Sequence, residues 1–191
     1  MNRSIMRMSL LTRPAHGVTR CLAIAVLAVA GMSVSVSSAH AASSTTCTGS
    51  FAISYSPGLT NTPQTVIFSE TDTYSSCTST DTSLTAGSWS GTSTNTGASC
   101  NNAGAFLAPE DYTISWNNSQ SSTITSLAVT EEMIGGIVQV TGVGTVTSGE
   151  FIGGVVTIVW ATPVPNPLLC LTSQGVTSQS GTIDLQLTVA P

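Results

Sequence analysis

From Cys47 to Tyr55 the chain alternates. Cys47, Gly49, Phe51, Ile53 and Tyr55 share one parity, and Thr48, Ser50, Ala52 and Ser54 the other. A strand turns successive side chains to opposite faces, so this period of two predicts a half-buried strand and not a helix. Pro57-Gly58 predicts the turn that closes it. The same period returns at Gln64–Ser69, and "TDTYSSC" (71–77) continues that strand or forms the next. It returns again in Tyr112-Thr-Ile-Ser-Trp116, where "NNSQ" (117–120) predicts a hairpin turn into "SSTITSLAVT" (121–130).

Further along, "IVQVTGVGTVT" (137–147) follows Glu131-Glu132 and Gly135-Gly136, with a turn expected around Ser148-Gly149. "GVVTIVWAT" (154–162) is apolar on both faces and reads as a central strand, stopped by Pro163, Pro165 and Pro167. In "GTIDLQLTV" (181–189), Ile183, Leu185, Leu187 and Val189 are expected inward and Asp184, Gln186 and Thr188 outward. No segment sustains a period of 3.6; a short helical turn is expected at most near "GAFLAPED" (104–111). Seven to nine short strands with regular turns predict an all-β fold, an antiparallel β-sandwich that is immunoglobulin-like in the broad sense. Residues 42–191 suit one such domain.

Residues 1–41 read as a signal peptide. Arg3, Arg7, Arg13 and Arg20 precede the apolar run "CLAIAVLAVAGMSVSV", and Ala39-His40-Ala41 fits the A-x-A cleavage pattern. A membrane anchor would need roughly 20 apolar residues and no such site. Cys21 precedes the apolar run, which argues against lipid modification at the cleavage point.

Beyond that leader the chain has no Lys, no Arg and no His, since His16 and His40 both lie within it. Nine acidic residues follow: Glu70, Asp72, Asp81, Glu110, Asp111, Glu131, Glu132, Glu150 and Asp184. The processed chain is therefore acidic, at 0 − 9 = −9 apart from its termini. Without His there is no Ser-His-Asp or Cys-His system and no imidazole metal site. Without Lys there is no Schiff base. Without either basic group nothing neutralises nucleic-acid phosphates or an anionic membrane, so both are excluded as partners. Solubility rests on hydroxyls: Ser and Thr make up 51 of the 149 residues from Ser43 onward.

Cys47, Cys77, Cys100 and Cys170 remain after the leader, and an even count in an exported chain predicts two disulfides. Cys77 and Cys100 enclose a Ser/Thr/Gly-rich segment whose closure would stabilise by roughly 3 kcal/mol, so they are expected to pair. Elimination then joins Cys47 to Cys170.

Paired carboxylates are the one catalytic chemistry this composition permits. Glu70 and Asp72 lie two apart on one strand face, whereas Glu110-Asp111 and Glu131-Glu132 are adjacent and point to opposite faces. The expectation for all of them is solvated turn and edge positions. No D-x-D-x-D-G calcium loop and no G-x-G-x-x-G spacing occurs, so no metal or cofactor is expected. Aromatic platforms for sugar rings are the second possibility, among Trp89, Trp116, Trp160, Tyr55, Tyr74 and Tyr112. Trp116 and Trp160 sit on apolar strand faces and are expected in the core; Trp89, in "AGSWSGTST", is the candidate ligand contact. Asn117-Asn118-Ser119 fits a glycosylation sequon but reads as an ordinary turn.

The phrases "CTGSFAISYSPGLT", "TYSSCTST" with the later "SC", "GTVTSGEF" and "LLCLTSQGVTSQSGTI" resemble those of small secreted actinobacterial proteins. That resemblance implies secretion and a β-rich fold, and no assigned activity. The expected function is that of a secreted, extracellular, non-enzymatic binding or structural module whose partner is a glycan or an extracellular protein. The alternatives are a small carboxylate-dependent polysaccharide hydrolase, and a secreted inhibitor or toxin-like protein using the polar loop between Cys77 and Cys100.

Overall fold

A computed structural model describes residues 43–102 and 111–191. The expected leader, Glu110 and all but the last residue of the expected helical turn lie outside the described residues. Within them the alternation becomes eight strands: β1 (Ser43–Leu59), β2 (Gln64–Ser79), β3 (Gly87–Ala98), β4 (Asp111–Trp116), β5 (Ser121–Ile134), β6 (Ile137–Gly149), β7 (Val155–Pro163) and β8 (Val176–Val189). Each strand pairs antiparallel with the next. β8 then returns to pair with β1, Ser43 opposite Val189 through Ser54 opposite Ser178, and closes a barrel.

The fold is thus a barrel and not the expected immunoglobulin-like sandwich. Both architectures bury alternate residues, so a period of two does not separate them. What separates them is the β1–β8 pairing, which joins the last strand to the first. The inward parity fills the interior with Phe51, Ile53, Tyr74, Ile114, Ile158, Ile183 and Leu185. The outward parity on β1, β2, β3 and β8 carries hydroxyls, among them Ser50, Thr71, Ser90 and Thr182. A barrel that spans lipid turns its apolar side chains outward; this one turns most of them inward, with Ile67, Ile134, Ile137, Val143 and Val155 exposed on its strands.

Two local expectations also change, and one of two open alternatives is borne out. β1 runs past Pro57-Gly58 to Leu59 after a register shift, so that dipeptide does not end the strand. "TDTYSSC" continues β2. The segment between Cys77 and Cys100, expected to be a polar loop, contains β3. Its inward positions include Gly91, Ser93 and Asn95, so the apolar half of the alternation is missing there.

All four expected cysteines form disulfides, but the pairs are Cys47–Cys77 and Cys100–Cys170. β3 is the physical reason. Its 12 residues, at about 3.3 Å each, carry Cys100 to the opposite end of the barrel from Cys77. Cys47 instead faces Cys77 directly across the β1–β2 ladder. Cys100 meets Cys170 over the β1–β2 turn, where the Cys100 N–H donates to Thr60 (2.8 Å) and the Asn61 N–H to Cys170 (3.2 Å). Two disulfides fit an oxidising environment. Among the described residues, no helix is long and apolar enough to cross a membrane.

Candidate functional site

β2 turns Phe68, Glu70, Asp72 and Tyr74 into the barrel on successive inward positions. Asp72 lies between Phe51 of β1 and Trp89 of β3 in the ladder, and it is completely buried. A carboxylate in such a place must be hydrogen-bonded or neutralised. Its Oδ2 accepts from the Tyr112 hydroxyl of β4 and from Trp160 Nε1 of β7, the latter at 3.2 Å. Since Tyr112 spends its one proton on Asp72, the 2.7 Å contact with Tyr74 has Tyr74 as donor. The result is a chain, Tyr74 to Tyr112 to Asp72, spanning the interior.

Asp72 Oδ1 has no donor among these groups. Glu70, two positions back on the same inward face, interacts with Asp72, and a proton on either carboxyl makes it a donor to the other. Burial and the neighbouring Asp72 charge push Glu70 up to about 9, so it holds a proton at neutral pH. Burial also raises Asp72, to about 6, opposed by the hydrogen bonds from Tyr112 and Trp160. The pair therefore shares a single proton that resides on Glu70, with Asp72 as the ionised acceptor behind it. Burial raises Tyr74 and Tyr112 well above the ordinary phenol value.

Glu70 is not sealed in. Among the described residues, the β3–β4 pairing is confined to Gly87 opposite Trp116 and Ser88 opposite Ser115. Beyond it lies a cleft of about 180 Å³ lined by Phe68, Glu70, Trp89, Ser90, Thr92, Ser93 and Asp111 with Gly91. Trp89 forms its wall: the indole stacks on Tyr112 at 4.5 Å between ring centres and leans along its own strand over Gly91. A Cβ at position 91 would stand 2.4 Å from the Trp89 ring, so only glycine admits this arrangement. Trp89 is half-buried on the inner face, less exposed than its polar sequence neighbours suggest.

The other candidates do not line the cleft, although Trp160 reaches Asp72 from across the barrel. Trp116 and Trp160 are core residues, and Trp116 Nε1 donates to Ser122 at 2.9 Å. Tyr55 is buried and donates to Gln179 at 2.6 Å. Glu131 and Glu132 lie exposed near the end of β5. Asp81 sits in a turn, where the Ser83 hydroxyl and N–H hold its carboxyl below the usual range. Asn117 Oδ1 accepts the N–H groups of Thr85 and Ala86 (2.9 and 3.1 Å), tying the turn at the sequon to the chain just before β3, and Asn118 Oδ1 accepts the Gln120 N–H within the turn (3.1 Å). Among the described residues, no group of three or more His, Cys, Asp or Glu gathers as metal ligands would.

The two-residue spacing of Glu70 and Asp72 was visible in the sequence, but the inward parity of β2 was not. The signal was available: Phe68 and Tyr74 share their parity. No protein family, curated protein or solved structure matches this chain.

Proposed function

We propose that this is an exported, non-enzymatic binding protein that takes a glycan-type ligand into the cleft between β3 and β4. The observation that supports this reading is the lining itself. An aromatic wall (Trp89), a serine on the inward parity (Ser93) and a carboxyl held protonated (Glu70) open onto one concave site. Sugar rings offer apolar faces for stacking and hydroxyls that both donate and accept. A neutral carboxyl answers the second need, because it also donates and accepts. Export is supported by the leader and by two disulfides that fit an oxidising compartment.

Glycan-array binding by the processed chain, with Trp89→Ala and Gly91→Val beside it, tests the reading. Wild type should bind at least one glycan, and both variants should lose it while keeping a folded circular-dichroism spectrum. Wild type binding no glycan at all would end the proposal. One observation favours the hydrolase as a second reading: Glu70, Asp111 and Trp89 line the same cleft. Against it, Glu70 belongs to the inward set of β2 and Asp111 to the outward set of β4. Release of new reducing ends from a bound polysaccharide, abolished by Glu70→Gln, would establish it over binding alone.

A further inference from the structure

We infer that the saccharide this cleft receives carries a protonated amine, as a glucosamine oligomer does. The inference rests on the glycan-binding reading and deepens it. Glu70 and Asp111 line the cleft, and the buried Asp72 lies two positions from Glu70 on the same inward face of β2. Asp72 is fully buried, and among the described residues its Oδ1 has no hydrogen-bond partner. Elsewhere in proteins, Lys, Arg or His answers such a group. From Ser43 to Pro191 this chain contains none of the three. The charge that neutralises the pair therefore comes from outside the chain, as a proton or as a cation on the ligand.

The walls decide which kind of cation fits. Trp89 and Phe68 present aromatic surface to the cleft, which attracts ammonium groups held close to the ring. A bare calcium ion wants six to eight oxygen ligands, and no such gathering of acidic groups occurs among the described residues. Ser93, on the inward parity of β3, suits a hydroxyl of the same sugar ring, and the volume is of the order of one pyranose. Among the described residues, Tyr55 from β1 feels the Glu70 charge as Asp72 does. Tyr74 and Tyr112 engage the far side of Asp72. All of these are neutral or acidic, so none competes with the ammonium. Because Glu70 holds a proton when the cleft is empty, ammonium binding displaces that proton.

The test compares three trisaccharides by calorimetry at pH 7: the glucosamine trimer, its N-acetylated counterpart and cellotriose. The amine trimer should bind roughly tenfold more tightly than either neutral one. Titration in two buffers of different ionisation enthalpy should show release of up to one proton. Glu70→Gln should bring the amine trimer to the level of the neutral sugars and abolish the proton release. The surface variant Glu131→Gln/Glu132→Gln should leave both unchanged. Equal binding of amine and acetylated trimers overturns the inference and leaves glycan binding standing. So does binding of some other neutral glycan with none of the three trimers. A surface variant that loses as much as Glu70→Gln would mean mere attraction to an acidic protein, and likewise overturns it. If no saccharide of any kind binds, the glycan-binding reading fails first and takes this inference with it.

Discussion

Raising the pH from 5 to 8 should loosen this barrel, and Glu70→Gln should remove most of that dependence. Glu70 keeps its proton in the fold up to about 9, against 4.5 as the ordinary value that the unfolded chain regains. Between those values the folded state binds one proton more than the unfolded state. Stability from this group is thus complete on the acid side and declines as pH rises toward the folded value. Each pH unit in that window costs ~1.4 kcal/mol per proton, so the span from 5 to 8 costs roughly 4 kcal/mol. With an m-value of about 2 kcal/mol/M for a domain of this size, the urea midpoint should fall by about 2 M. Asp72, raised to about 6, steepens the decline at the acid end. Gln at position 70 offers Asp72 Oδ1 an N–H donor without a titrating proton, so the variant should hold a nearly level midpoint from pH 6 to 8. The assay is urea unfolding followed by tryptophan fluorescence, at four pH values, with the disulfides intact. A wild-type midpoint that climbs from pH 5 to 8 would refute the reasoning, as would a Glu70→Gln slope equal to that of wild type.

Three other outcomes are expected. Tyr112→Phe withdraws a donor from the buried Asp72 carboxylate and the acceptor of Tyr74, and should cost about 2–4 kcal/mol, read from the thermal midpoint. Removing the disulfide of separation 70 by Cys100→Ser/Cys170→Ser should cost roughly 4 kcal/mol in denaturant unfolding, more than Cys47→Ser/Cys77→Ser at separation 30. Peptic mapping without reduction should recover Cys47 linked to Cys77 and Cys100 linked to Cys170, while trypsin should find no site between Ser43 and Pro191 even in denatured protein.

Strand content was legible wherever a strand buries one apolar face. β1, β4 and β8 show this, with Phe51-Ile53-Tyr55, Tyr112-Ile114-Trp116 and Ile183-Leu185-Leu187 on their inward parities. β3 was illegible because Gly91, Ser93 and Asn95 occupy positions that Val or Ile would hold in an ordinary strand. That one omission displaced the cysteine pairing, since Cys77 and Cys100 look close only if the chain between them is a loop. Closure was illegible for a different reason. The alternation specifies which face is buried and says nothing about which strand lies beside the last. Glu70 and Asp72 were expected in solvent because carboxylates usually are. Their parity with Phe68 and Tyr74 pointed inward, and parity prevailed over residue type.

The illegible strand and the candidate site have one cause. A barrel wall closes when every inward position is filled and every ladder is complete, and β3 meets neither condition. Its glycine and small polar residues leave room beside Trp89, and among the described residues its pairing with β4 stops after Ser88. Filling Gly91 with a side chain would push the Trp89 ring off its seat against Tyr112 and take away the surface that faces Glu70. Glu70 in turn would be costly in a sealed interior, where an unpaired acid group loses its hydration. At the opening it stays neutral, and its partner Asp72 is held by Tyr112 and Trp160 from across the barrel. A polar strand in the wall, an interrupted ladder and a half-open acid pair thus depend on one another. A defect of packing alone would require neither Gly91 under Trp89 nor a carboxyl at the gap.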